Sequence, residues 1–124
     1  MATTQPVILQ SRAARLSLRD SFEEELERQV RECNALAGET LWQVVRTGDP
    51  LRIAVERFAC PGDRLVCSFS EDLSVLACIP GPGVRARPLR FRCVDGTFIR
   101  QGRRSDLEGA ASMVLDELVR TDWT

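Results

Sequence analysis

The side chains of this chain that could take part in chemistry are arginines, carboxylates and thiols. All 17 of its cationic residues are arginine, and it contains no histidine. Histidine is the side chain whose unperturbed pKa lies near neutrality, so any proton transfer would fall to a perturbed carboxylate or thiol. The composition therefore favours a non-catalytic protein without a cofactor over an enzyme. The arginine bias itself is most simply an effect of codon composition.

The thiols do not form a recognisable metal or disulfide pattern. No Cys-x-x-Cys pair occurs, histidine is absent, and the odd number of cysteines argues against a complete disulfide framework. We expect reduced thiols and a cytoplasmic protein without membrane contact, because no apolar run approaches the roughly 20 residues that cross a bilayer and no secretion signal is visible. The cysteines are Cys33, Cys60, Cys67, Cys78 and Cys93.

Cys60 is the one candidate for a reactive thiol, and a small thiol-dependent enzyme or redox protein centred on it is the weakest functional prediction. Arg57 and Arg64 lie near it in sequence, and two guanidinium groups could lower the pKa of its thiol. No base is available to assist it, however. The simpler interpretation is structural, because Cys60-Pro61-Gly62-Asp63 has Pro and Gly in the two central positions that a type II turn prefers.

A second chemistry suggested by residue type is anion binding. Residues 84 to 104 are rich in arginine against a single acidic residue, Asp95, and arginine suits bidentate phosphate contacts. Residues 20 to 39 and 106 to 124 are acidic, however, and the chain has a net charge of -1, so the basic stretch could complement its own helices or those of a twin subunit. Anion or nucleic-acid binding is thus the minority prediction, and its candidate residues are Arg85, Arg87, Arg100, Arg103 and Arg104.

The element that positions these arginines is a predicted hairpin. Asp95-Gly96 separates two apolar, β-prone runs, and Asp and Gly tolerate the left-handed backbone angles of a two-residue turn. This turn sets Val94 opposite Thr97, Cys93 opposite Phe98 and Arg92 opposite Ile99. The alternation then places Leu89, Phe91, Cys93 and Phe98 on an inner face, and Arg90, Arg92, Thr97 and Gln101 on the reverse.

Two further hairpins are predicted upstream. Residues 41 to 47 and 51 to 58 alternate about Gly48 and Asp49, although a helix over 49 to 58 is a rival interpretation, because Asp-Pro is also a good helix start. Residues 64 to 70 and 73 to 79 fold together about Glu71 and Asp72. The predicted pairs are Val44 with Ile53, Trp42 with Val55, Cys67 with Leu76, and Leu65 with Cys78.

Helical patterns flank the predicted strands. An apolar stripe predicts a helix over about 17 to 37, ended by Gly38, and a capping box of Ser105 and Glu108 predicts another over about 106 to 120. We expect residues 1 to 16 to be an edge strand or tail, residues 17 to 120 to form a single domain and residues 121 to 124 a C-terminal tail. The fold class is α+β: an N-terminal helix, an antiparallel meander sheet of about 4-6 strands and a C-terminal helix, with both helices on one sheet face.

The reverse face of the predicted sheet is the main candidate site. It interleaves aliphatic and polar residues, whereas a wholly solvated face should be more polar, and an apolar patch with arginines at its margin is typical of a dimer or partner surface. Scattered exposed apolar residues, or coverage by the N-terminal segment, are the alternative. We therefore predict a protein-interaction domain that forms a homodimer or binds a protein partner. Its candidate interface residues are Arg52, Arg90, Arg92, Val94, Ile99 and Gln101.

Overall fold

The computed structural model describes residues 5–82 and 84–122. An N-terminal helix, a seven-stranded antiparallel sheet in chain order and a C-terminal helix confirm the predicted α+β class, with one strand beyond the expected range. Among the described residues no helix has the length and apolar character needed to cross a membrane. The elements are α1 (Gln5–Ala37), β1 (Trp42–Arg46), β2 (Arg52–Arg57), β3 (Arg64–Phe69), β4 (Val75–Pro80), β5 (Leu89–Val94), β6 (Thr97–Arg100), β7 (Arg103–Ser105) and α2 (Leu107–Asp122).

Helix α1 is longer than predicted. It begins at Gln5, so the described part of residues 1 to 16 is helical and not the expected edge strand or tail. Pro6 falls in the first turn, where its missing N–H costs no hydrogen bond. Once the first turn has formed, each further residue adds one backbone hydrogen bond, which favours a longer helix. The end is as predicted: Gly38 has a φ of 75° and donates to the carbonyl of Ala35, and Glu39 donates to that of Asn34. These two bonds form a Schellman motif.

The Asp95-Gly96 hairpin has the predicted register. Val94 lies opposite Thr97, and the two turn residues have φ angles of 49° and 76°, as a type I′ turn requires. Residues 52 to 57 form strand β2, so the helical alternative for this region is wrong.

The β1–β2 hairpin is correct in its strands but not in its register. Val44 lies opposite Val55, where Ile53 was expected. The loop is longer than two residues because the Asp49 carboxylate accepts a hydrogen bond from the Leu51 N–H at 2.9 Å, which forms a local side-chain turn.

The β3–β4 hairpin differs from its prediction in the same way. Cys67 lies opposite Cys78, where Leu76 was expected. The Asp72 carboxylate organises the longer loop by accepting from the N–H of Ser74 at 3.0 Å, and hydrogen bonds from Ser74 and Ser70 lower the pKa of Asp72 to about 2. Because each partner changes by two residues, the set of side chains on each face is unchanged.

The seventh strand follows from a turn that the sequence analysis missed. Gln101 and Gly102 have φ angles of 53° and 78°, and they connect β6 to β7 by a second two-residue hairpin. Gln101 therefore lies in a turn and not within a strand. Helix α2 is capped by Asp106, not by the expected Ser105, since the Asp106 carboxylate accepts from the N–H of Gly109 at 2.8 Å.

Both helices pack on one face of the sheet, and the core lies between the helices and that face. The ring of Phe22 in α1 lies 5.6 Å from that of Phe69 and 5.9 Å from that of Phe98, which in turn contacts Phe91. Phe91 and Phe98 are fully buried, as their predicted inner positions require. We call this the inner face, and the reverse side the outer face.

Candidate interaction surface

The outer face carries a row of aliphatic side chains. Val45, Ala54, Val66 and Ile79 are successive cross-strand partners on β1 to β4, and we call them the aliphatic row. Neighbouring strands lie about 4.8 Å apart, so the row is about 14 Å long. Ile79 is 57% exposed, and the valines are half-buried. Ala54 is fully covered because its small side chain lies between the two valines.

A polar row borders the aliphatic row on one side. Glu56 lies between Gln43 and Arg64 and is buried. Gln43 donates to one carboxylate oxygen of Glu56 at 2.8 Å, and the Arg64 guanidinium lies 2.9 Å from the other. The carboxylate of Glu56 is therefore neutralised within the face and is not exposed to a partner.

Three exposed arginines occupy the part of the outer face beyond β4. Arg90 lies opposite Ala77, Arg92 lies between Val75 and Ile99, and Arg104 lies on the far side of Ile99. Within the described part of the chain, none of the three has a carboxylate partner. We call Arg90, Arg92 and Arg104 the arginine cluster. It places positive charge and aliphatic surface side by side.

The other predicted interface residues are distributed around this centre. Val94 is 43% exposed opposite Thr97 at the end of the hairpin. Arg52 is exposed on β2, and its Nε lies 3.7 Å from the Asp49 carboxylate. Only Gln101 departs from the predicted face, because it forms the β6–β7 turn.

The predicted anion-binding arginines do not form one patch. Arg104 belongs to the outer face, whereas Arg100 and Arg103 lie opposite each other on the alternate side of their strands. The backbone N–H of Arg87 donates to the carboxylate of Glu117 in α2 at 3.0 Å, and the Nε of Arg87 donates to the same buried carboxylate at 3.2 Å. Arg85 is exposed in the connector between β4 and β5. The basic stretch is thus divided between three regions of the structure.

A contrasting arginine site joins α1 to β1. Glu23 is buried, accepts a hydrogen bond from Arg19, and lies 2.9 Å from the Nε of Arg46. Burial alone would raise the pKa of Glu23, but hydrogen bonds and charge from Arg46 and Arg19 outweigh burial and lower it. An open groove of about 400 Å³ adjoins these residues, but Asp20 and Asp49 also line it. Its arginines are already engaged, so the groove is a poor anion site.

The inward-facing cysteines behave as buried apolar residues. Cys67 and Cys78 are fully buried opposite each other, and the pKa of Cys78 is raised by its contact with Cys67 and by burial. Burial also raises the pKa of Cys93 to about 11. Protonated thiols of this kind are poor nucleophiles and poor metal ligands. No group of metal-binding side chains occurs among the residues that the structure describes.

Cys60 is exposed at its turn. The Asp63 N–H donates to the Cys60 carbonyl at 2.9 Å, but Gly62 does not have the positive φ that the expected type II turn requires. The Arg64 guanidinium was expected to lower the pKa of the Cys60 thiol. Its Nε instead donates to the Pro61 carbonyl at 3.2 Å, and the guanidinium forms an ion pair with the Glu56 carboxylate.

Comparisons with known proteins give no assignment. The chain matches no protein-family model, no curated protein and no solved structure. Its function must therefore be inferred from its own surfaces.

Proposed function

We propose that this protein is a non-catalytic, cytoplasmic interaction domain that binds a protein partner, or a second copy of itself, through the outer face. The observation that supports this proposal is the aliphatic row beside the arginine cluster, whose members have no carboxylate partner among the described residues. Aliphatic surface left in water lacks the stabilisation of about 25 cal/mol per Å² that its burial would give. Interfaces combine an apolar centre with arginine, which is the cation most enriched at such surfaces.

The position of the surface also supports binding over chemistry. The outer face is broad and is built from strands, so its side chains are held by the ladder of a seven-stranded sheet. Its one carboxylate, that of Glu56, is buried and paired. The outer face therefore offers positive charge and apolar contact, but no exposed acid or base among its described residues.

Anion or nucleic-acid binding is the second candidate, and the unpaired arginine cluster is the observation in its favour. Single-strand binders combine arginines with aromatic side chains on which bases stack. The phenylalanines near the cluster, Phe91 and Phe98, are fully buried in the core. A salt-dependent mobility shift of a labelled oligonucleotide, lost on replacing Arg92 by glutamate, would favour this second candidate over the first.

Site-specific photo-crosslinking in cells that naturally make the protein tests the proposal. A photoreactive phenylalanine analogue is placed at Ile79 on the outer face, and in a matched variant at Arg31, which is exposed on α1. We expect a protein adduct from position 79 and a much weaker one from position 31. Equal adducts from both positions, or none from position 79, would exclude the outer face as a binding surface.

A further inference from the structure

We infer that the occupant of the outer face is a segment of another protein in which an apolar stretch has a cluster of carboxylates at one end. This inference rests on the proposed function and specifies its partner. It follows from the charge of the outer face, from the order of its residues across the sheet, and from the absence of any exposed acid that a second copy could offer there.

The outer face is strongly positive. Its strand residues include one acidic side chain, that of Glu56, which is already bound by Gln43 and Arg64. Like charges placed opposite each other at an interface repel and disfavour binding, whereas opposite charges guide association and fix register. A partner with carboxylates is therefore favoured over a neutral or basic one. The arginines of the outer face are Arg52, Arg64, Arg90, Arg92 and Arg104.

A second copy bound through the same face does not satisfy the arginine cluster. A two-fold interface uses the same surface patch on both subunits, so each copy would present its arginine cluster to a surface without exposed carboxylates. The Glu56 carboxylate could serve only by leaving Gln43 and Arg64, which would then lose their own partner. Self-association through the outer face thus desolvates arginines without compensating them.

The order of residues across the sheet gives the partner a direction. The aliphatic row spans β1 to β4 and ends at Ile79, and the arginine cluster begins on the adjacent strand with Arg90. Seven strands at about 4.8 Å spacing make the sheet about 29 Å wide, of which the aliphatic row covers about half. A segment lying across the sheet would meet apolar contacts first and arginines second. Its carboxylates should therefore lie at one end of its apolar stretch.

Selection of displayed peptides on the full chain tests this inference. A library of random 20-residue peptides is selected on the immobilised protein and counter-selected on the Val66→Glu variant, so that only ligands of the outer face are retained. Enriched peptides are then synthesised, and their dissociation constants are measured with the wild type, with Arg90→Glu/Arg92→Glu, and with Arg31→Glu as a control of equal charge change per site. Circular dichroism of each variant confirms that it is folded.

We expect enriched peptides in which an apolar stretch carries Asp or Glu at one end. Their binding should be at least about tenfold weaker to the double variant but unchanged by Arg31→Glu. Apolar peptides without acidic enrichment, or equal binding to all three proteins, would overturn this inference and leave an outer-face interaction domain standing. Dimerisation of the wild type in sedimentation, lost in Val66→Glu, would do the same. No enrichment together with no crosslink from position 79 would overturn both proposals.

Discussion

The two faces of one sheet use arginine in opposite ways. On the helix side, Arg19 is almost fully buried and is held by Glu23, whose second oxygen binds Arg46. On the outer face, Arg90 and Arg92 are exposed, and no described carboxylate pairs with either. The first arrangement fixes α1 to the start of the sheet. The second leaves two guanidinium groups solvated and open to contact.

The apolar side chains of the two faces also differ in how far they are covered. Phe22 is fully buried against two other rings of the inner face, whereas Ile79 on the outer face is 57% exposed. Alternation along a strand assigns side chains to faces, but it does not say how well each face is covered. The comparison therefore separates residues that hold the fold from residues that are available to a partner.

The largest expected effect is a loss of stability when Phe22 is replaced by alanine. Removing a fully buried ring that contacts Phe69 and Phe98 should lower the free energy of unfolding by about 3–5 kcal/mol. Val66→Ala on the outer face should cost less than about 1 kcal/mol, because the side chain is only half-buried. Urea unfolding monitored by circular dichroism measures both. A cost for Val66→Ala similar to that for Phe22→Ala would show that the outer face is a second core.

The two kinds of arginine site should differ by a smaller amount. Glu23→Ala removes the buried carboxylate partner of Arg19 and leaves it only the more exposed carboxylate of Asp20, 3.1 Å away. It should cost about 2–3 kcal/mol of unfolding free energy. Arg92→Ala removes an exposed, unpaired side chain and should change stability by no more than about 0.5 kcal/mol. The same urea experiment gives both values. A destabilising effect of Arg92→Ala as large as that of Glu23→Ala would contradict its assignment as a residue free for binding.

The fold was predictable from the sequence where its determinants are local. Asp95 and Gly96 specify their turn by backbone preference, so that the register of β5 with β6 followed directly. The β6–β7 turn was missed because Gln101, unlike Asp, is not a usual residue for a φ of 53°. The registers of the first two hairpins depended on side-chain hydrogen bonds within their loops, which residue type alone does not fix.

For most of the predicted interface residues the sequence analysis identified the face of the sheet on which they lie, but it misplaced Gln101. Arg90, Arg92 and Ile99 fell on the predicted face because the register of β5 with β6 was predicted correctly. The two-residue slips in the other hairpins also preserve the face of each side chain. Which arginines find a carboxylate was not predictable, because the pairing of Glu23 with Arg46 depends on how α1 packs against β1. Nor could the sequence show that the basic stretch is divided, since the missed turn reverses the chain between Arg100 and Arg103.

Acid pH should reduce the contribution of the helix-side site. The pKa of Glu23 is lowered from its ordinary value of 4.5 in the folded chain, so ionised Glu23 stabilises the fold above that pH. This stabilisation is lost as the pH falls through the lower folded value. Wild type should therefore be more stable than Glu23→Gln at pH 6, and the difference should shrink as the pH falls below about 4.5. Urea unfolding at a series of pH values measures it, and a difference that grows on acidification would mean that Glu23 is protonated in the fold.

The smallest expected effect is a thermal midpoint that does not change with protein concentration. It distinguishes a different protein from a second copy as the occupant of the outer face. If the outer face binds a different protein, the purified chain gains nothing from its own concentration, and its thermal midpoint should be constant within about 1 °C between micromolar and near-millimolar protein. A second copy seated on the outer face would stabilise the folded state by mass action and raise the midpoint with concentration. Val66→Glu provides the internal control. A charge in the aliphatic row would abolish such a rise, whereas the thermal midpoint of the unassociated chain should change little, because the side chain at position 66 is only half-buried. A rise in the wild type that disappears in Val66→Glu would therefore assign the outer face to self-association, and the arginines would then need a counter-charge that the structure does not place there.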